Sequence, residues 1–172
     1  MAENRPWSTE NTQSFILPLW QNLHTVMAAG EAAVLAEVNG GTEMTAYKVR
    51  RYSRWVNAQF PAISVIPRRV RTRKGEGGPS VEEGFGLEIL IEDVGGDPDE
   101  LAFSVVKRVN AAHIIIERAS LAALFAGYAA PKTRWPSWDI DHDYAAFFNE
   151  GKSTYKQNGS LIITFTGLME KT

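Results

Sequence analysis

The chain has 172 residues, of which 44% are hydrophobic and 22% charged, and these values fit one globular domain with a substantial apolar core. It contains no cysteine, which excludes disulfides and thiolate metal sites. Its apolar runs are too short to span a bilayer, and its first residues lack the apolar stretch of a signal peptide. We therefore expect a cytoplasmic protein, or part of a particle assembled there, with no membrane partner.

The net charge of −2 conceals an uneven distribution along the chain. Nine of the 18 Lys and Arg residues lie between Lys48 and Lys74, and nine of the 20 Asp and Glu residues lie between Glu76 and Glu100. Complementary charged patches often fix the register between neighbouring subunits. A solvated surface with uneven charge explains the same pattern equally well.

The N-terminal part of the sequence predicts a flexible arm followed by a helix. Residues 1–13 are polar and are expected to be ordered only by a partner, on which Trp7 is a candidate anchor. Four apolar residues then recur at helical spacing and form one stripe: Leu19, Leu23, Val26 and Met27. Pro18 fits the first turn of this helix, and Asn39-Gly40-Gly41 ends it. A single domain is expected to cover residues 14–172.

The middle of the sequence predicts two strands joined by a basic loop. Residues 42–59 are interpreted as extended or loop, and residues 60–67 as a strand, since they form a β-branched run between two prolines. Residues 68–80 are interpreted as a basic, glycine-rich loop. A second strand is expected from about 83 to 92, where alternation places four apolar residues on one face: Phe85, Leu87, Ile89 and Ile91.

A long helix follows, and its start carries the clearest local signal. Asp97 is expected to cap the helix, Pro98 suits its first position and Glu100 can close a capping box. Apolar residues recur along one side of the helix and predict a buried stripe: Leu101, Val105, Val109, Ala112 and Ile116.

The remaining segments predict a short helix and two more strands. The helix is expected at 121–126, with Ser120 as its cap, and the strands at 135–140 and 161–166. Residues 143–151 are interpreted as a turn or short helix, and Asn158-Gly159 as a turn. This order of elements predicts an α/β (α+β) fold with a mixed, mostly antiparallel sheet of about four strands and helices packed on one face.

Few residues in the sequence are candidates for a catalytic or metal-binding site. Asp139, Asp141, His142 and Asp143 form a candidate Mg²⁺ or Mn²⁺ site, although an exposed polar strand end is the more common explanation of such a cluster. His24 and His113 are interpreted as partly buried structural histidines. Without a catalytic triad, a nucleophile elbow or a phosphate loop, we expect a protein that is not an enzyme and that needs no cofactor or metal.

Eight basic residues form the candidate surface for contact with a subunit or with DNA: Arg50, Arg51, Arg54, Arg68, Arg69, Arg71, Arg73 and Lys74. They can bind phosphates without sequence specificity. They can equally bind an acidic surface on a neighbouring subunit, and the acidic stretch after residue 74 supplies one.

Several short phrases of the sequence occur in a familiar order. They are FPAISV at 60–65, GDPDEL at 96–101, VNAA at 109–112, ASLAAL at 119–124 and GSLIITF at 159–165. Over residues 14–168 this order resembles the tail terminator (tail completion, or head-tail joining) proteins of tailed bacteriophages.

The resemblance implies a structural virion protein of the tail or neck. Such a protein forms a ring, typically a hexamer, that caps the tail tube and stops its polymerisation. Its partners would be other copies of itself, the tail tube protein and a neck or head-completion protein, with non-specific contact to DNA in the lumen. Two alternatives stay open: another head-tail connector (adaptor or stopper), and a small metal-dependent hydrolase or nuclease that uses the Asp139, Asp141, His142 and Asp143 cluster.

Overall fold

The computed structural model describes residues 16–52, 59–74, 80–124, 126, 137–148 and 154–170. Within these residues the elements follow in this order: α1 (Ile16–Val38), β1 (Val49–Arg51), β2 (Ala62–Lys74), β3 (Ser80–Gly95), α2 (Pro98–Arg118), α3 (Leu121–Leu124), β4 (Ser137–Phe148) and β5 (Tyr155–Glu170). None of the helices in this part of the chain has the length and apolarity of a membrane-spanning segment.

The strands form one five-stranded sheet in the order β1-β2-β3-β5-β4. β1 runs parallel to β2, and the other neighbours are antiparallel. The predicted fold class, a mostly antiparallel sheet with helices, is therefore confirmed. β1 is the strand that the sequence did not reveal, because its three residues are too few to show an alternating pattern.

Helices α1 and α2 cover one face of the sheet and form the core with it. Leu87, Ile89 and Ile91 of β3, which the alternation placed on one face, are fully buried in this core, and Glu88 and Leu90 between them are buried as well. The predicted stripe of α2 is buried at all five positions: Leu101, Val105, Val109, Ala112 and Ile116. This burial is the main favourable contribution to folding, at about 25 cal/mol per Å² of apolar surface.

The ends of the two long helices are fixed locally. The Asp97 carboxylate accepts hydrogen bonds from the backbone N–H groups of Asp99 (2.9 Å) and Glu100 (3.0 Å), so the predicted N-cap of α2 is confirmed. At the end of α1, Gly41 N–H donates to the carbonyl of Ala36 (2.8 Å), and Gly40 and Gly41 have φ values of 68° and 84°. These left-handed conformations favour glycine, as the sequence indicated.

Three sequence interpretations are wrong in the same way, because each assigned a turn or loop to residues that lie in a strand. Residues 68–74 continue β2, residues 143–148 continue β4, and Asn158-Gly159 lies inside β5. Glycine, asparagine and aspartate are depleted in strands, and lysine to a lesser degree, and each of the three segments contains or adjoins such residues. Pairing with neighbouring strands along their full length overrides that preference.

The close approach of α2 to β5 explains why residue 159, inside a strand, is a glycine. A Cβ atom on this residue would lie 2.6 Å from Val109 Cγ2 and 2.7 Å from Val105 Cγ1, both on α2. The missing side chain therefore allows the helix to lie directly on β5.

Candidate assembly surface

The basic segment of the sequence lies on strand β2, and its first arginine is the extra residue of a β-bulge. Pro67 pairs with Leu87 and Arg69 with Gly86, which leaves Arg68 without a partner in the register. The Arg68 Nε atom lies 3.3 Å from Oε2 of Glu88, a carboxylate that is only 2% exposed. Ser160 Oγ donates to the other oxygen of Glu88 at 2.6 Å. Arg68 therefore neutralises a buried carboxylate within its own chain.

The acidic stretch that follows the basic segment lies on the adjacent antiparallel strand, β3. The register places Arg73 opposite Glu82, so this part of the acidic stretch faces the basic segment within the same chain. Arg69 and Arg71 lie opposite Gly86 and Gly84 instead. These two arginines therefore have uncharged cross-strand neighbours on β3.

Two of the upstream arginines, Arg50 and Arg51, lie in β1 at the edge of the described sheet. Arg50 forms an ion pair with Glu31 of α1, whose carboxylate also accepts a hydrogen bond from Tyr47 N–H at 3.0 Å. Partial burial lowers the pKa of Arg50 below its ordinary value. Arg51 also lies in β1, and its buried Nε atom has no hydrogen-bond partner among the described residues. A contact of Arg50 or Arg51 with another subunit or with DNA stays a prediction.

Four of the named residues are described only by their backbone position, and two lie outside the described residues. Arg69, Arg71, Arg73 and Lys74 are described here by their position in β2 alone. Arg54 and Trp7 lie outside the described residues. The predicted contacts of these side chains with a subunit, with DNA or, for Trp7, with a partner stay predictions.

Strand β4 carries the residues that formed the candidate metal cluster. Alternation along the strand places Asp141 and Asp143 on one face and His142 on the other. The ring of His142 turns toward α2, where its Nε2 atom lies 2.9 Å from Nδ1 of His113. Among the described residues there is no group of three or more side chains that could hold a metal ion. Asp141 and Asp143 remain exposed to solvent.

The two histidines are part of a polar chain between α2 and β4. His113 Nε2 lies 3.1 Å from Glu117 Oε1, and His142 Nδ1 lies 3.4 Å from the Tyr144 hydroxyl. Desolvation, followed by the field of His113, lowers the pKa of His142 below its ordinary value. A neutral His142 is compatible with the short contact between the rings, since one of the facing nitrogen atoms must be unprotonated.

A buried charge on α2 was missed in the sequence. Arg108 is only 3% exposed, its Nε atom lies 3.6 Å from Asp93 Oδ2, and its guanidinium lies 5.1 Å from the ring centre of Tyr47. The spacing of seven residues from Leu101 would have revealed that this arginine lies on the buried stripe. It borders a cavity of about 410 Å³ that is also lined by Lys48 and Glu43. Acidic and basic groups balance there, so the cavity favours no particular charge.

No protein-family model matches the chain, and no curated protein matches it. Among solved structures, the chain is similar to a chain from a structure described as "Virion of native gene transfer agent (GTA) particle". The two chains are 14% identical, the match covers 86% of this chain and 94% of the other, and the TM-score is 0.40. A TM-score of this size carries no assignment of function.

Proposed function

We propose that this protein is a structural subunit of a tailed-phage-type virion. Copies of the chain form a ring, typically a hexamer, that caps the tail tube, ends its polymerisation and docks the tail to the head or neck. The partners are further copies of the chain, the tail tube protein and a neck or head-completion protein. Its place is the tail or neck of the virion, after assembly in the host cytoplasm.

The observation that carries this proposal is the open strand edge on each side of the described sheet. β1 pairs only with residues 62–64 of β2, and β4 has β5 as its one partner strand in the described part of the chain. An unpaired strand edge presents backbone donors and acceptors that another chain can bind. Contacts at both edges would let one subunit join neighbours on two sides, as a ring requires.

The phrases that resemble the tail terminator family also support the proposal, since they fall on the elements that build the domain. FPAISV leads into β2, GDPDEL forms the capped start of α2, and GSLIITF lies within β5. These elements contribute to one core, so the phrases that carry the resemblance belong to the framework of the fold.

The place of the basic segment on β2 supports a role in contact with DNA or with a neighbouring subunit. A ring encloses a lumen through which DNA passes, and non-specific contact with phosphates needs only cations on the surface. Arg69 and Arg71 fit either DNA or an acidic neighbouring subunit, because no acidic residue lies opposite them on β3.

The test of the proposed function is a direct measurement of assembly. Light scattering coupled to size-exclusion chromatography should give one oligomer of several subunits, and electron micrographs of the same fraction should show rings. When the protein is added to polymerising tail tube protein, the tubes should stop growing and carry a ring at one end. A chain that is monomeric at every concentration and leaves tube length unchanged would refute the proposal.

One control addresses the metal-dependent alternative. Titration with Mg²⁺ or Mn²⁺ should leave the melting temperature unchanged, because a ligand that binds only the folded state would raise it. A rise that disappears in the Asp141→Ala variant would favour a metal-dependent enzyme instead.

A further inference from the structure

The two edges of the sheet lie on opposite sides of the subunit and differ in accessible length. β2 has no described partner strand on its outer side beyond residue 64, and β4 has none on its outer side over its 12 residues. Within β2, Pro67 lacks a backbone donor and the bulge at Arg68 disturbs the ladder. The regular part of this edge is therefore residues 69–74, which we call the basic edge.

The sequence gives the two edges opposite charge. The basic edge contains Arg69, Arg71, Arg73 and Lys74 and no acidic residue. β4, which we call the acidic edge, contains Asp139, Asp141 and Asp143 and no lysine or arginine. Asp141 lies opposite Ile162 and Asp143 opposite Ser160, so no cation on β5 lies directly opposite either of them.

This distribution of charge selects which edges can meet. Two basic edges repel each other, as do two acidic edges, whereas a basic edge attracts an acidic one. A contact between unlike edges is heterologous, since each copy uses its basic edge on one side and keeps its acidic edge for the next copy. Repetition of a heterologous contact produces a ring when the rotation closes.

We infer that neighbouring copies of this chain join by pairing the basic edge of β2 with the acidic edge of β4, so that the sheets form one continuous belt around the ring. This inference rests on the proposed ring function and specifies its subunit contact. The backbone hydrogen bonds supply the attraction, and the charges fix which edges pair.

The test uses reversal of charge on each edge separately. The basic-edge variant is Arg69→Glu with Arg71→Glu, and the acidic-edge variant is Asp141→Lys with Asp143→Lys. Each should lose the wild-type oligomer and elute as a folded monomer. The net charge of the basic edge falls from +4 to zero in the first variant, and that of the acidic edge changes from −3 to +1 in the second, so neither variant keeps the attraction between unlike edges. The matched control is Glu37→Lys with Glu43→Lys, two exposed residues outside both edges, which changes the net charge as the acidic-edge variant does and should keep the oligomer.

Restoration of the oligomer distinguishes edge pairing from general damage. A 1:1 mixture of the two variants should recover an oligomer in which they alternate, and the chain that carries all four substitutions should assemble alone. If a reversed variant fails to fold by circular dichroism, Arg69→Gln with Arg71→Gln, or Asp141→Asn with Asp143→Asn, replaces it and should weaken assembly.

The outcomes separate the inference from the proposed function. A wild-type ring that persists in both reversed variants, or folded variants whose mixture stays monomeric, would overturn the edge pairing and leave the ring intact. A wild-type chain that forms no oligomer would overturn the ring, and the edge pairing with it.

Discussion

Replacement of Gly159 by alanine is the sharpest test of how the helical layer meets the sheet. The added Cβ would lie 2.6 Å from Val109 Cγ2 and 2.7 Å from Val105 Cγ1, both fully buried side chains that have no room to withdraw. Overpacking of this kind costs about 1–3 kcal/mol. A Gly-to-Ala change gains about 0.4–1 kcal/mol from the unfolded chain, so the clash decides the sign. We expect a net loss of stability.

The assay is thermal or urea unfolding of Gly159→Ala beside Gly95→Ala. At residue 95 the nearest atom to an added Cβ is Leu101 Cβ at 3.6 Å, an ordinary contact, so that variant should match or slightly exceed the wild type. Each kcal/mol corresponds to roughly 2–4 °C in a domain of this size, and we expect a fall in Tm of several degrees for Gly159→Ala alone.

A double-mutant cycle identifies the cause of that fall. In a background that carries Val105→Ala and Val109→Ala, the two clashing methyl groups are absent, and the cost of Gly159→Ala should shrink or change sign. If Gly159→Ala unfolds at the same temperature as Gly95→Ala, α2 does not lie on β5 as described.

Three further outcomes are expected. Asp97→Ala removes the side chain that caps α2 and should cost about 1 kcal/mol in urea unfolding, whereas an unchanged midpoint would contradict the cap. Glu37→Gln breaks the exposed pair with Arg118 and should leave the urea midpoint close to that of the wild type, because solvent screens an exposed pair, whereas a clear fall in the midpoint would contradict this. The pKa values of His24 and His142 are lowered from 6.5, mainly by desolvation, so the unfolded chain binds more protons and the unfolding free energy should fall as the pH drops below 6.5. Replacing both histidines with glutamine should flatten this decline, and an equal slope in the variant would count against it.

The features that the sequence predicted well are local. The cap at Asp97 and the buried stripe that begins at Leu101 depend on residues within a few turns of one another, so spacing alone reveals them. The core face of β3 was predictable because Leu87, Ile89 and Ile91 recur at every second residue.

The features that it missed depend on partners far away in the chain. In the sequence, Gly159 after Asn158 is typical of a turn. Only the position of α2 above it explains why a glycine lies inside a strand there. Arg71 belongs to a strand because it pairs with Gly84 of β3. The residues next to Arg71 in the sequence do not predict this pairing. The same holds for Asp143, which suggested a turn or a metal ligand and which belongs to a strand through pairing with Ser160.

The candidate surface was predicted only in part. The arginines of β2 were identified from their density in the sequence, but their relation to a strand edge required the sheet order. Asp141 was identified for a different reason, as a metal ligand, because one sequence does not show that its strand lies at the far side of the same sheet.

The Glu31 carboxylate has a consequence for the dynamics of the short segment that precedes β1. Residues 42–47 have no regular secondary structure, yet the Tyr47 amide donates to Glu31 in the middle of α1, and Arg50 binds the same carboxylate. Opening this segment would leave the buried Glu31 carboxylate without its partners. This costs far more free energy than the fraying of a loop that makes no such contacts. Hydrogen exchange at Tyr47 should therefore follow the cooperative opening of the first helix, so that the two behave as one foldon.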